Sequence, residues 1–380
     1  MAKKKLSHSE VEKLLESSDF SVGQERNDFL LPQIVDFVKR DHWINIRPEY
    51  QRRLVWDAKK KSRLIESLFM NVPVPPIFLY EHDLNRYEVM DGQQRLNTII
   101  DFYENKFSLK GLDYWSQLNG YSYGALPPRV QRGLDRRRIT ATVLVAEKSS
   151  TASAMIELRK QVFDRLNTGG QKLVPQELRN CLYSGAFNDL LLELAGEPVF
   201  NDLWEIPKYK DNIRGANITE KLSKNTMFRR MADVEVVLRY FAFRGGKSKI
   251  RGAVKKILDQ CMIEGQSLTE DTLSEFANQF RRDLSMAYDI FGANAFKLPE
   301  GASAFGNHSQ PFYDAIMVSF HRTSTKHAAL RRAAQKLRVA VRKAVTANEE
   351  SRALFVGRAN TAKAIRERLD RMETAFLSVL

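Results

Sequence analysis

Asp91-Gly92-Gln93-Gln94-Arg95 places a carboxylate, a hinge glycine, two amides and a permanently charged guanidinium in consecutive positions. Residues of these types handle phosphate or another anion. Arginine donates a planar bidentate fork, amides orient water or oxygen atoms, and glycine lets a ligand approach the backbone. Two more polar, arginine-bearing turns stand in the chain. Arg47-Pro48-Glu49-Tyr50-Gln51-Arg52-Arg53 lies upstream, and Phe163-Asp164-Arg165-Leu166-Asn167-Thr168-Gly169-Gly170 lies downstream, its glycines exposing backbone amides past a helix end. Three such turns converging would form a nucleotide pocket. Each alone also fits a plain structural role, with Asp91 capping a helix, Arg95 in solvent, and the Gly169-Gly170 pair ending a helix.

The elements that must hold these residues are legible around them. Tyr87, Val89 and Met90 predict a strand before the Asp91 motif, and Leu96 to Tyr103 carries apolar residues at helical spacing after it. The motif therefore falls at a strand-to-helix corner, where free amides and the positive end of the helix suit an anion. Trp43 to Ile46, Ile77 to Tyr80 and Ile139 to Val145 predict further strands from their β-branched and aromatic content. Lys59 to Met70 sets Leu64, Ile65, Leu68 and Phe69 on one helical face, and the proline-rich Val72 to Pro76 stops it. Lys110 to Pro128 lacks periodicity and reads as an ordered loop.

After Ser153 the pattern is helical: Ala154 to Leu166, a helix opening at Pro175, Met231 to Phe243, Leu268 to Phe291, Pro311 to Phe320 and Ala328 to Ala347. The expected fold class is α+β, an α/β front followed by an all-α back. The expected division is a polar arm over 1–25, an α/β nucleotide-binding domain over 26–150, a helical extension completing the pocket over 151–245, and a basic helical domain over 246–380.

With 380 residues and 43% hydrophobic content, the chain can bury a core without covalent staples. Its two cysteines, Cys181 and Cys261, form no CxxC pattern, which argues against a disulfide framework or zinc site and fits a reducing cytoplasm. The basic start has no apolar segment behind it, and no apolar run reaches spanning length, so neither secretion nor membrane insertion is expected. A net charge of +14 points to a polyanionic partner. From His321 onward, 14 Lys or Arg face 5 Asp or Glu, a net of +9. Within Ala328 to Val345, Leu330, Leu337, Val341 and Val345 share an apolar seam with Ala333, Ala334 and Ala344. Arg331, Arg332, Lys336, Arg338, Arg342 and Lys343 fall opposite, with no acidic residue among them. That face predicts contact with DNA phosphates, the plain alternative being a solvated outer face.

In order, Tyr50-Gln51-Arg52 with Trp56, Leu64-Ile65-Glu66-Ser67, Asp91 to Arg95 continuing into Leu96-Asn97-Thr98, Arg165 to Gly170, and Gln176-Glu177-Leu178-Arg179-Asn180 resemble the N-terminal domain family of GmrSD-type, modification-dependent restriction enzymes. That family looks related to ParB and sulfiredoxin domains. The likeness spans roughly Leu30 to Phe243 and implies a nucleoside triphosphate (GTP, ATP or CTP), with Mg²⁺, bound and hydrolysed within defence against phage DNA. Carried over, Arg52 and Arg95 hold phosphates, Gln93 or Gln94 orients water or a phosphate oxygen, and Asp91 is a metal-linked acid or base. Tyr50, Gln51, Gly92, Thr98, Arg165, Asn167, Thr168 and Gly169 line the pocket. There is no Walker A motif. Fused family members carry an HNH nuclease, yet His308, His321 and His327 lack its surroundings, so no nuclease is expected here. No metal role is expected for the last two. The resemblance thus implies a nucleotide-hydrolysing, DNA-associated sensor acting with a separate nuclease or other effector, with an oligomer also allowed. The alternative is a nucleotide-gated DNA-binding module without catalysis.

Overall fold

The computed structural model describes residues 22–46, 56–146, 174–183, 185–210, 218–301, 303–357 and 360–380. These form two compact units, one running to Ala146 and one beginning at Val174. The architecture is mixed α+β, with a five-stranded sheet in the first unit and helices dominating the second.

In the first unit, strands β1 (Val22–Leu30), β2 (Ile44–Asn45), β3 (Ile77–Asp83), β4 (Arg86–Asp91) and β5 (Arg138–Ala146) are ordered β1-β5-β3-β4-β2. β3 runs parallel to β5, with Ile77 opposite Ala141, and antiparallel to β4, to which a hairpin at Leu84-Asn85 joins it. β2 lies parallel to β4, with Ile44 opposite Tyr87. Helices α1 (Leu31–Lys39), α2 (Ala58–Phe69), α3 (Gln93–Tyr103) and α4 (Pro128–Asp135) pack with one another. Ile34, Ile65, Leu96, Ile99 and Phe102 from the first three join Ile77, Leu79, Ile139, Ala141 and Val143 of the sheet in one core. Side chains alternate across a strand, so Ile139, Ala141 and Val143 share a face.

The loop between α3 and α4 is tied down by a buried carboxylate. Glu66 of α2 accepts the backbone N–H groups of Tyr114 and Trp115, each at 2.8 Å, and of Asp113 at 3.3 Å. A loop that satisfies its amides in this way needs no regular structure of its own.

One boundary differs from expectation. The polar arm was placed over residues 1–25, but β1 spans Val22–Leu30 and pairs antiparallel along all of β5. Gly23 to Asp28 carry no apolar alternation and are mostly exposed. The strand forms at the sheet edge because β5 offers a complete hydrogen-bonding partner, which overrides weak intrinsic propensity.

The second unit is built around the helix Gln310–Arg322, buried from Pro311 to Phe320. It packs against the helices Ala232–Arg244, Glu270–Phe291 and Ala362–Leu377. Inside this bundle Asp314 accepts a fork from Arg239, through Nε at 2.9 Å and through Nη2, with Arg368 Nη2 at 3.8 Å. Helices dominate the back as expected, with one short hairpin among them, β6 (Lys297–Glu300) and β7 (Ala304–His308). Its strands are too brief to show periodicity, and β6 carries Pro299. The single helix expected over Ala328 to Ala347 is two, His327–Arg332 and Ala334–Thr346, divided at Ala333 (φ −94°, ψ 15°). Neither glycine nor proline marks that break. Among the described residues no helix is long and apolar enough to cross a membrane.

Candidate functional site

β4 ends at Asp91, and α3 begins at Gln93, so the motif occupies the expected strand-to-helix corner. Gly92 takes the capping position in a left-handed conformation (φ 96°), and no side chain caps the helix. The first-turn amides at the positive end of α3 are therefore without a side-chain cap. The glycine has a packing role. A Cβ there would lie 2.4 Å from Ile77 Cγ2 and 2.9 Å from Ile77 Cβ of the neighbouring strand.

Arg95 is not solvated. Its side chain is 15% exposed, and Nη2 bonds both the Pro76 carbonyl (3.1 Å) and Asp91 Oδ2 (2.8 Å). Its Nε is buried without a hydrogen-bond partner. Asp91 does not cap the helix but latches the guanidinium, and its carboxylate is 55% exposed. An incoming anion must therefore compete with Asp91 for Arg95. Gln94 Oε1 accepts the Trp56 backbone N–H at 3.2 Å, pinning the entry to α2 beside the start of α3. Gln93 is half-buried at the first helical position and has a partner of its own. Thr98 departs from its expected pocket role. It is fully buried, and its hydroxyl donates to the Gln94 carbonyl at 2.7 Å, leaving nothing for a ligand at the surface.

The far end of α3 is fixed as firmly. Tyr103 and Tyr123 both donate to Asp135 Oδ1 at 2.9 Å. Burial and that hydrogen bond raise the Tyr103 phenol far above its ordinary range and push Tyr123 up to about 12. Lys61 and Asp101 join α2 to α3 at 2.8 Å. The corner thus sits on a rigid helix. Tyr50, Gln51, Arg52, Arg165, Asn167, Thr168 and Gly169 lie outside the described residues.

The resemblance implies Mg²⁺. Asp91 is the motif's one carboxylate, and among the described residues no group of three side chains could hold a metal ion. Mg²⁺ commonly takes one or two carboxylates plus substrate phosphates, and Asp91 fits that lesser share.

In Gln176 to Asn180 the polar residues are structural. Arg179 Nε meets Asp259 at 2.8 Å, and Nη1 meets Glu235 at 2.9 Å and Gln176 at 3.1 Å, tying three helices together. Asn180 accepts from Asn188 at 2.8 Å.

The cationic face divides. Arg331 pairs with Asp289 at 2.6 Å, and Arg338 donates to the Ile290 carbonyl. Arg342 donates to the carbonyls of Glu300, Gly301 and Ala304 at the β6–β7 turn. These three have partners within the fold. Arg332, Lys336 and Lys343 are exposed and make no ion pair among the described residues.

The second unit also holds a cavity of about 530 Å³. Its signal in the sequence is Arg244-Gly-Gly-Lys-Ser-Lys-Ile-Arg-Gly252, a basic, glycine-bearing stretch after a predicted helix.

Residues 31–184 match the family described as GmrSD restriction endonuclease, N-terminal domain. Neither a curated protein nor a solved structure matches the chain. The matched stretch begins at α1, contains the β4–α3 corner and Glu66, and ends just past the helix that carries Arg179. Over residues 31–184 the chain is therefore similar to the GmrSD-type N-terminal domain.

Proposed function

We propose that this protein is the nucleotide-binding, DNA-associated component of a restriction-type defence system that works with a separate nuclease or other effector. A nucleoside triphosphate (GTP, ATP or CTP) is bound through its phosphates at the β4–α3 corner and hydrolysed there. One observation supports this above the rest. Arg95 is held by the Pro76 carbonyl beside an uncapped helix start, with a buried Nε that has no partner. A fixed guanidinium next to a helix start that no side chain caps suits phosphate oxygens, and phosphoryl transfer depends on such positioning and charge neutralisation. When bound, Mg²⁺ would neutralise phosphate charge, with Asp91 the motif's available carboxylate. Arg332, Lys336 and Lys343 supply the contact to DNA phosphates.

The Asp91–Arg95 pair favours a second reading, in which nucleotide displaces Asp91 and acts as a switch without turnover. Nucleotide affinity and phosphate release, measured for GTP, ATP and CTP with and without DNA, separate the two. Arg95→Lys keeps the charge but loses the fork, so it should weaken binding at least tenfold while unfolding at the wild-type midpoint. Unchanged affinity would remove the corner as the site. Asp91→Asn should abolish phosphate release if the carboxylate is catalytic. Tighter binding, with no release by the wild type, would establish the switch.

A further inference from the structure

The cavity in the second unit lies among the helices Ala232–Arg244, Val254–Gly265 and Glu270–Phe291. Phe187, Phe241, Ile257, Leu268 and Phe276 give it an apolar, largely aromatic wall. Arg244, Lys249, Arg251 and Lys256 also line it, against the single carboxylate of Glu264. That carboxylate is used by Lys249, at 2.9 Å. Three cations remain.

Arg244 is the most informative of them. Its guanidinium carbon lies 3.7 Å from the Phe276 ring centroid and 4.8 Å from that of Phe241, and those two rings stack at 17°. Its hydrogen bond goes to a neutral group, Gln279 Oε1 at 2.6 Å, and it forms no ion pair among the described residues. Burial lowers its pKa, because desolvation penalises the charged form. Arg251 and Lys256 are exposed, and their side chains have no ion-pair or hydrogen-bond partner among the described residues. The helix Val254–Gly265 starts beside them at Ala253, which provides no capping side chain.

A guanidinium laid on aromatic rings offers a flat platform on which a planar π-system stacks. Unmatched cations beside it call for an anion of more than one charge. A bare inorganic ion would leave the aromatic wall unused, and a neutral apolar molecule would leave the cations uncompensated. The volume lies within the range of small-molecule sites, roughly 300–1,000 Å³. We propose that this cavity binds a phosphorylated aromatic compound of the mononucleotide class, its ring stacked at Arg244 and Phe276 and its phosphate held by Arg251 and Lys256. The site is separate from the β4–α3 corner and does not rest on nucleotide binding there.

The test uses the full chain at low salt, titrated calorimetrically with AMP, GMP, CMP and TMP. At least one should bind saturably. The exchange of Arg251 and Lys256 for glutamate, at exposed positions that leave the fold intact, should cut its affinity at least tenfold. Arg244→Lys should cut it several-fold, since ammonium keeps the charge but loses the stacking plane, and Arg95→Ala should leave it unchanged. Cys261 lines the same cavity. In a Cys181→Ser background, bound nucleotide should therefore slow methanethiosulfonate labelling of Cys261. Failure of all four nucleotides to bind, affinity indifferent to Arg251 and Lys256, or binding lost with Arg95 alone would each overturn the proposal. So would protection of Cys261 by a short single-stranded oligonucleotide when no mononucleotide protects it.

Discussion

Gly92→Ala tests the corner at its most constrained point. Two costs add there. A residue with a Cβ at φ 96° pays the left-handed penalty, about 1–2 kcal/mol. The new methyl also overlaps Ile77 at 2.4 Å, deep inside contact distance. Ile77 is fully buried in the core and cannot swing aside, and overpacking of this kind costs roughly 1–3 kcal/mol. Together they predict a loss of about 2–5 kcal/mol for the first unit, a fall in midpoint on the order of ten degrees. Denaturation followed by tryptophan fluorescence reads it, because Trp43, Trp56 and Trp115 all lie in that unit.

Two companions separate the terms. Asparagine tolerates the left-handed region, so Gly92→Asn removes most of the backbone cost but keeps the collision, and it should remain strongly destabilising. Ile77→Leu removes the offending Cγ2 at nearly constant volume. In that background the 2.9 Å approach to the residue-77 Cβ remains, so Gly92→Ala should keep the backbone term and part of the collision, giving a coupling of roughly 0.5–2 kcal/mol in a double-mutant cycle. A wild-type midpoint for Gly92→Ala, or additive effects with Ile77→Leu, would refute the claim that this glycine exists to accommodate β3.

Asp314→Asn should destabilise the second unit by about 3–5 kcal/mol, read from the urea midpoint by Trp204 fluorescence, because it strands the buried guanidinium groups of Arg239 and Arg368. Replacing Arg332, Lys336 and Lys343 together with glutamine should lower the slope of log affinity for duplex DNA against log salt by roughly 2–3 without altering stability, and an unchanged slope would rule these residues out as phosphate contacts. Arg342→Gln should instead cost about 1–3 kcal/mol of stability, since it leaves the carbonyls of the β6–β7 turn without their donor. Burial, reinforced by Glu264, pushes the Cys261 thiol up to about 12 from an ordinary 9.0, so the unfolded chain ionises first as pH rises. Stability from this group is therefore complete below about pH 9 and is lost between there and pH 12, and pH-dependent denaturation of the Cys261→Ser variant should lack that decline.

The parts of the fold that could be read from sequence are those whose signal is local. β3, β4 and β5 carry runs of β-branched or aromatic residues, and α2 and α3 show clear apolar spacing, so the Asp91 corner falls where the pattern puts it. β1 and the β6–β7 hairpin owe their existence to partners distant in sequence or to a tight turn, and neither has an apolar rhythm. Charge shows the same limit. Composition counts Arg331, Arg338, Arg342 and Arg368 as surplus, while the fold spends them on Asp289, carbonyls and Asp314. The i,i+4 spacing of the motif permits the Asp91–Arg95 pair, but the Pro76 carbonyl that holds Arg95 and the filling of Gly92's vacant side by Ile77 depend on β3 lying beside β4, which no spacing within the motif encodes.

These placements bear on how the family's motifs should be probed. Glu66 organises a loop, Arg179 clamps three helices, Thr98 is internal and Gly92 makes room for a neighbouring strand, so within the described residues much of the motif's constraint is architectural. Removing Arg179 would leave Asp259 and partly buried Glu235 unpaired, so a loss of ligand binding in that variant would carry no information about contact. Arg95 differs. Its partners are one carbonyl and one half-exposed carboxylate, so lysine can retain most of the local electrostatics while losing the fork. A defect confined to Arg95→Lys, with the unfolding midpoint intact, would be chemical in origin. The corner is thus the place in the described part of this domain where folding and function can be separated by substitution.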